Sequence, residues 1–243
     1  NWKAGTSFTN DASATGIGAT DSAGSVNETA GFSICTYTGV GGTSTTIKHG
    51  LSTTPTLMLI KNRSQADIDW GVYDQSIGNT NRLYLNNTDA ATDSPNTFNS
   101  TSPTSSIFTV GNHASVNTSG ETYVAYIFSE RQGYSKFGSY TGNGNANGTF
   151  VYLGFKPAFI MVKRTDSASN WTIIDNKRPE YNPANKWLYA NVSDAEYNAS
   201  EFPTDFTAQG FKIRNTGSYM NTSGGSYIYM AFAEQPFVAS NFN

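Results

Sequence analysis

Reactive and metal-binding side chains are scarce in this sequence, which has one cysteine and two histidines among 243 residues and only 14% charged residues. A single cysteine excludes an intrachain disulfide, and the apolar neighbours of Cys35 predict a small buried side chain. Zinc needs more Cys or His at ligand spacing, so His49 and His113 are expected to be turn or surface residues. The sequence predicts neither a metal site nor a cofactor.

Long hydrophobic runs and an excess of positive charge are also missing. No apolar stretch approaches the roughly 20 residues that cross a bilayer, so membrane insertion is not expected. The formal net charge is −3, which argues against a nucleic-acid partner. The first residues, NWKAGTSFTN, include no Met and no signal-peptide pattern. They indicate a piece of a longer protein.

Aromatic and turn-forming residues are abundant, and they recur in a repeated order. VNTSGETYVAYIF at residues 116–128 returns as MNTSGGSYIYMAF at 220–232, and GLSTTPTLMLIKNR returns as GFKPAFIMVKR. Six such blocks keep one order at offsets of about 101–105 residues, as tandem copies do. We predict a first copy over residues 31–131 and a second over residues 132–243.

Each copy is predicted to be built from strands. TLMLIK, AFIMVK, YVAYIF and YIYMAF are short apolar runs between turn residues, which favours strands over helices. Both faces of YVAYIF are apolar, so this strand is expected to be central and covered on both sides. We expect a second sheet to cover one face. Long loops, the sister copy or a neighbouring subunit are expected to cover the other face. We predict an all-β chain of two tandem antiparallel β-sandwiches, jelly-roll-like and related by an internal duplication.

Two segments fall outside this pattern. Residues 1–30 have low apolar content and are predicted to form an extended N-terminal arm or linker. Within them, NWKAG at residues 1–5 resembles the end of a preceding copy. The stretch VSDAEYNASEF, residues 192–202, is the one place where we expect a helical turn.

No catalytic constellation emerges from the motifs, and the chain is predicted not to be an enzyme. There is no Gly-x-Ser-x-Gly elbow and no phosphate-binding glycine loop. Asp74 and Asp175 occupy equivalent positions in the two copies, which a shared structural hydrogen bond explains better than a catalytic pair. Lys61 and Lys163, with the arginines that follow them, are interpreted as strand-end cations over loop carboxylates. The alternative is a site for an anionic ligand.

The copies differ most in one loop, which is the best candidate for a binding surface. The second copy has NKRPEYNPANKW at residues 176–187 where the first has the shorter QSIGNTNR at 75–82. Loops on a rigid scaffold commonly carry binding residues. The candidate ligand-binding residues are Tyr181, Asn182, Asn185, Lys186 and Trp187. The alternative for the aromatic residues is packing within the fold.

Several phrases are similar to a module found in marine bacteriophage virion and tail-fibre-like structural proteins. They are GFSI, YTG, ETYVAY, YSKFGSYTGNG, GFKPAFIMVKR and YIYMAFAE, and the resemblance extends over residues 31–237. It implies a protein of the virion exterior, with other copies of itself and other virion proteins as partners. The family supplies no catalytic residue to transfer.

Two functions remain open at this stage. The first is a non-enzymatic component of a tail fibre or other exterior appendage, with a role in host attachment or in binding a host-surface glycan. The alternative is a purely structural subunit of a capsid decoration or extracellular filament that binds no ligand.

Overall fold

The computed structural model describes residues 5–179, 181–198, 200 and 202–236. They divide into two compact units, of which the first holds residues 5–86 and 91–130 and the second residues 87–90 and 131–236. The main boundary, after residue 130, lies one residue before the predicted one. No helix within the described ranges has the length and apolar character needed to cross a bilayer.

The first unit contains ten strands and three one-turn helices in its described residues. The helices are α1 (Ala12–Thr15), α2 (Pro95–Phe98) and α3 (Ala114–Asn117). The strands are β1 (Thr6–Asn10), β2 (Ser22–Asn27), β3 (Phe32–Thr38), β4 (Thr45–Lys48), β5 (Leu57–Asn62), β6 (Gly71–Asp74), β7 (Asn81–Tyr84), β8 (Thr92–Asp93), β9 (Ile107–Val110) and β10 (Thr122–Phe128).

These strands form two antiparallel sheets with a core on one face of the larger sheet. The larger sheet has the order β1-β2-β3-β10-β5-β6-β7-β8, and β4 pairs with β9 in the smaller one. Tyr123, Ala125 and Ile127 alternate along β10 and are fully buried. They share a cluster with Phe108 and Val110 of β9. Burial of aromatic and β-branched side chains on this face supplies the hydrophobic stabilisation of the unit.

The second unit contains nine strands in its described residues. They are β11 (Ser135–Thr141), β12 (Phe150–Tyr152), β13 (Pro157–Arg164), β14 (Thr172–Asp175), β15 (Lys186–Tyr189), β16 (Tyr197–Asn198), β17 (Thr204–Thr207), β18 (Gly210–Ile213) and β19 (Ser226–Ala233).

The larger sheet of this unit has the order β11-β19-β13-β14-β15-β16, and β12, β18 and β17 form the smaller sheet. Position by position, the six-stranded order parallels β3-β10-β5-β6-β7-β8 of the first unit. Tyr227, Tyr229 and Ala231 of β19 are buried in a core with Phe211 and Ile213 of β18. The predictions of an all-β chain, and of strands at residues 57–61 and 123–128, are confirmed.

The central strands are covered to different extents on their second faces. β10 lies between β3 and β5, and β19 between β11 and β13, as expected for central strands. On the face of β19 that points away from the unit's core, Ile228 and Met230 are each only 3% exposed. Val124 and Tyr126, on the corresponding face of β10, are half-buried. The expected two-sided cover is therefore complete at these positions of β19 and partial along β10.

The prediction that residues 1–30 form an arm or linker is wrong for residues 6–27. This segment forms β1, α1 and β2, of which β2 pairs with β3 and β1 is the edge strand of the larger sheet. Low apolar content misled the prediction, because an edge strand is held by its backbone ladder and needs little buried side-chain area. Gly24 also requires its small size here, since a Cβ would lie 2.1 Å from the Ile34 carbonyl oxygen. Residues 1–4 of the supposed preceding copy lie outside the described residues.

The expected helical turn at residues 192–202 is also wrong where the structure describes this stretch. Tyr197 and Asn198 form β16, which pairs with Trp187 and Lys186 of β15. Among the described residues, the three helical turns lie in the first unit, and His113 caps α3 by accepting the Ser115 N–H at 3.2 Å. Single turns of this kind leave no hydrophobic periodicity from which they could be predicted.

A buried asparagine holds the turn before the central strand of each unit. In the first unit, Nδ2 of Asn117 donates to the Gly111 carbonyl at 2.8 Å, and Oδ1 accepts the Val40 N–H at 2.8 Å. Asn221 makes the equivalent contacts in the second unit at 2.6 and 2.9 Å. Both side chains are fully buried. Their hydrogen bonds satisfy backbone N–H and C=O groups of loops, which are not paired within a sheet.

A pair of stacked tyrosines completes each turn. The hydroxyl of Tyr123 accepts the Thr118 N–H at 2.7 Å, and its ring stacks on Tyr37 with centroids 5.2 Å apart. In the second unit, Tyr227 stacks on Tyr140 with centroids 5.0 Å apart. The repeated Asn-Thr-Ser-Gly phrase therefore encodes a structural turn whose polar groups are satisfied by side chains of neighbouring strands.

We predict that Asn221→Ala lowers the free energy of unfolding by about 2–4 kcal/mol, because buried backbone groups would lose their partners. Urea denaturation followed by tyrosine and tryptophan fluorescence measures the change. The control is Ser223→Ala, an exposed position in the same turn, which is expected to stay within about 0.5 kcal/mol of the parent. Equal stability of the two variants would contradict a structural role for the Asn221 amide.

Candidate functional site

A recess of about 240 Å³ lies in the second unit beside the loop that joins β14 to β15. This loop falls within residues 176–187, the stretch that differs most between the two predicted copies. The recess is lined by Lys156, Asn176, Pro179, Tyr181, Asn182, Ala184, Phe206 and Glu234.

The start of the loop is fixed by the carboxylate of Asp175 at the end of β14. Its Oδ1 accepts the backbone N–H groups of Lys177 and Arg178 at 2.8 and 2.9 Å. The Arg178 guanidinium donates from Nε to Oδ2 at 2.6 Å. These bonds favour the ionised carboxylate and, although partial burial opposes them, the pKa of Asp175 is lowered.

The end of the loop is fixed by pairing with β17. Nδ2 of Asn182 donates to the Phe206 carbonyl at 2.8 Å, and its Oδ1 accepts the Phe206 N–H at 2.9 Å. Ala184 then donates its N–H to the Thr204 carbonyl at 2.7 Å. The Asn182 side chain thus bonds to Phe206 as a paired strand residue would, and it fixes the backbone next to Tyr181. The side chain of Tyr181 is 77% exposed.

Charged and amide groups form one wall of the recess. The Lys156 ammonium lies 2.9 Å from Oε2 of Glu234, and Nδ2 of Asn176 donates to Oε1 of the same carboxylate at 2.7 Å. On another part of the loop, Arg178 and Lys186 flank Glu196 at 3.6 and 3.7 Å. The recess therefore combines one exposed aromatic ring with hydrogen-bonding groups of both polarities.

The structure brings together only some of the predicted ligand-binding residues. Tyr181 and Asn182 both line the recess. Asn185, just before β15, and Lys186, its first residue, are half-buried and are not among the residues that line the recess. The inclusion of Trp187 in a binding surface is wrong, because this side chain is fully buried. Its ring packs against Phe202 and contributes to the core of the second unit.

We expect Trp187→Ala to lower the free energy of unfolding by about 3–5 kcal/mol, because it removes the largest fully buried side chain of the chain's described part. Leu188→Ala is the control, since Leu188 is adjacent but 36% exposed on the opposite side of β15, and a change of about 1 kcal/mol or less is expected. Thermal unfolding of the two variants tests the assignment, which equal melting temperatures would contradict.

Sequence reasoning missed Lys156, Phe206 and Glu234 as residues of the recess. They are far from the loop in sequence and meet it only because β17, the start of β13 and the end of β19 converge there. Asn176 and Pro179 lie within residues 176–187, the loop predicted to carry a binding surface, but no sequence pattern distinguished them from their neighbours. The difference in loop length between the copies was the only sequence signal pointing to this region.

The other side chains considered from the sequence have structural roles. Oδ1 of Asp74 accepts the Ser76 N–H at 2.7 Å, as Asp175 does with its own loop, which confirms the shared hydrogen bond. Cys35 is fully buried as predicted, and burial raises the pKa of its thiol to about 12. His49 is not a surface residue, because its side chain is fully buried, but it lies in the connection after β4 and its ring accepts the Leu51 N–H at 3.2 Å.

The strand-end lysines also depart from expectation. Nζ of Lys163 is buried and donates to the backbone carbonyls of Thr88 and Ser169 at 2.8 and 2.6 Å, and Lys61 likewise donates to loop carbonyls. Burial lowers the pKa of Lys163 to about 8. Arg164 matches the predicted arrangement, with Nε 2.8 Å from a carboxylate oxygen of Asp166.

Asp74 generates a prediction about pH, because it is 2% exposed and burial raises its pKa to about 6. A carboxyl group with a raised pKa in the folded state stabilises the fold fully below its unfolded pKa. That contribution is lost as the pH rises through about 6. Asp74→Asn should therefore gain stability relative to the parent between pH 4 and pH 7, on the order of 2–3 kcal/mol.

Urea denaturation of the parent and the variant at several pH values measures this difference. Asp67→Asn, at an exposed carboxylate of the same unit, is the matched control for the loss of one carboxyl group. A stability difference between Asp74→Asn and the parent that stays constant with pH would contradict the raised pKa of Asp74.

A second recess, of about 330 Å³, lies on the first unit beside β1, β2 and β3. It contains none of the predicted binding residues. Among the described residues, no group of three or more His, Cys, Asp or Glu side chains is placed to hold a metal ion.

Comparison with known proteins places this architecture in a family. A family model described as "Domain of unknown function (DUF7483)" matches residues 1–236, and the chain therefore belongs to that family. No curated protein and no solved structure matches the chain.

Proposed function

We propose that this chain is a non-enzymatic structural and attachment module on the exterior of a bacteriophage particle, part of a tail fibre or a similar appendage. In this proposal, the recess of the second unit binds a sugar residue of a host-surface glycan. The virion location comes from the resemblance of the repeated phrases to phage structural proteins. The binding role comes from the geometry of the recess.

The proposal includes an internal duplication of a jelly-roll-like sandwich. Three observations support it: the matching strand order of the larger sheets, the equivalent bonds of Asn117 and Asn221, and the equivalent tyrosine stacks. A duplicated scaffold allows one copy to keep the packing while the other changes a loop. Other copies of the chain and other virion proteins are the partners that such a scaffold would have.

The observation that carries the binding role is the exposed ring of Tyr181 at the rim of a polar recess. Aromatic rings present a flat apolar face, and the hydroxyl at the edge of a tyrosine can hydrogen-bond. The ion pair of Lys156 and Glu234, with the amide of Asn176, supplies donors and acceptors that can hydrogen-bond to the hydroxyl groups of a ligand. A sugar ring has both features, an apolar C–H face and a rim of hydroxyls.

A glycan array probed with the intact chain tests this proposal. Tyr181→Ala is expected to weaken binding to the recognised glycan about tenfold or more, which corresponds to about 1.4 kcal/mol. Tyr181→Phe keeps the ring and should retain most of the affinity. The melting temperature should not change in either variant, because Tyr181 is exposed.

The control is Tyr197→Ala, which removes another exposed tyrosine of the second unit outside the recess and should leave binding unchanged. Absence of binding to any glycan by a correctly assembled protein would favour the purely structural alternative. Release of reducing ends from a bound polysaccharide would instead require an enzymatic function.

A further inference from the structure

One amide of the recess beside Tyr181 has hydrogen-bonding capacity that the fold does not use. Asn176 lines the recess, and its Nδ2 donates to Oε1 of Glu234 at 2.7 Å. Its Oδ1 is buried and accepts no hydrogen bond within the part of the chain that the structure describes. An amide oxygen in this position has lost its contact with water and has gained no other partner. A hydrogen-bond donor on a ligand would supply that partner.

The second amide of the recess is already engaged at both ends. Nδ2 of Asn182 donates to the Phe206 carbonyl at 2.8 Å, and its Oδ1 accepts the Phe206 N–H at 2.9 Å. These two bonds hold the loop in place, so they belong to the scaffold. The unused capacity of a side-chain amide in this recess therefore lies at Asn176.

The charged groups of the recess neutralise each other. Lys156 and Glu234 are the charged residues among the described residues that line it, and Nζ of Lys156 lies 2.9 Å from Oε2 of Glu234. An ammonium group on a ligand would meet the like charge of Lys156, and a carboxylate would meet that of Glu234. The lining therefore favours an uncharged polar group over an amine or an acid.

The ammonium group of Lys156 has donors to spare for such a ligand. A lysine ammonium carries three N–H groups, and one of them suffices for the ion pair with Glu234. The Lys156 side chain is 46% exposed, so it can adjust its position at the mouth of the recess. An uncharged acceptor, such as a carbonyl oxygen, can therefore bind to Lys156 without breaking the ion pair.

Apolar residues and a small volume define the rest of the recess. Pro179, Ala184 and Phe206 line it beside the polar groups. Its volume of about 240 Å³ lies below the roughly 300–1,000 Å³ of pockets that enclose drug-sized ligands. The recess therefore suits a single sugar residue that carries one small apolar substituent.

We propose that the recess selects sugar residues that carry an acetamido group, such as N-acetylglucosamine or N-acetylgalactosamine. The N–H of the acetamido group donates to Oδ1 of Asn176, and its carbonyl oxygen accepts from Nζ of Lys156. Its methyl group lies against the apolar part of the lining, at Pro179 and Ala184. The sugar ring contacts the exposed ring of Tyr181.

Other substituents of a sugar ring match the recess less well. A hydroxyl group can donate to Asn176, but it brings no apolar group to the lining. A free amine or a carboxylate brings a charge that the lining does not balance. An acetamido group combines a donor, an acceptor and a methyl group without charge. This inference rests on the proposed glycan binding, and it adds the class of sugar that the recess recognises.

Methyl glycosides of four sugars are the probes, titrated into the intact chain and followed by NMR. They are N-acetylglucosamine and N-acetylgalactosamine, each compared with its counterpart that has a hydroxyl at the same carbon, glucose or galactose. At least one acetamido sugar should bind about tenfold or more tightly than its hydroxyl counterpart. An analogue whose acetamido nitrogen is methylated keeps the carbonyl and the methyl group but has no N–H, and it should lose this advantage.

Two variants of the chain locate the acceptor. Asn176→Leu removes the amide at similar volume and should reduce the preference for the acetamido sugar over its hydroxyl counterpart to about twofold or less. The control is Asn198→Leu, which replaces an exposed asparagine of β16 outside the recess and should keep the preference. The melting temperatures show whether both variants fold. The N-methylated analogue tests the same hydrogen bond on the unaltered chain.

The results separate this inference from the proposed function. Equal binding of acetamido and hydroxyl sugars, weakened in both cases by Tyr181→Ala, would overturn the inference and leave the glycan site standing. Undiminished binding of the N-methylated analogue, or an unchanged preference in folded Asn176→Leu, would also overturn it. Failure of every sugar to bind would count against the proposed function itself, and the inference would fall with it.

Discussion

The buried amide that begins the Asn-Thr-Ser-Gly turn is the interaction on which both units depend. Asn117 and Asn221 satisfy backbone groups of two separate loops, and the tyrosines stacked behind them hold the turn against the central strand. A buried polar network has low energy only when every member is paired. This requirement couples the turn with β3 and β10 in the first unit and with β11 and β19 in the second, and it explains why these phrases recur in the sequence.

Around this shared framework, the units differ where a scaffold can change without disturbing its packing. The loop after β14 is longer than its counterpart after β6, and it presents Tyr181 beside a polar recess. In the proposed duplication, the second copy carries the candidate binding site.

Whether a strand could be predicted from the sequence depended on whether buried side chains or backbone pairing hold it in the fold. Strands with apolar runs, such as β5, β10, β13 and β19, were predictable because buried side chains leave a composition that local reasoning detects. β1 and β2 were not, because pairing through the backbone leaves no side-chain pattern. Trp187 and Tyr181 lie in one loop region and are chemically alike, but one is buried and the other exposed. Their difference depends on the direction of β15.

By itself, the sequence determined the class of the fold, the repeated phrases and the absence of familiar catalytic motifs. Strand propensity and turn residues are local properties, and repetition is visible when one part of the sequence is compared with another. Tertiary structure decided which polar side chains meet. The recess joins Asn176 with Lys156 and Glu234, which are separated from it by 20 and 58 positions. Their meeting depends on the order of the strands in the sheet, which no single stretch of residues encodes.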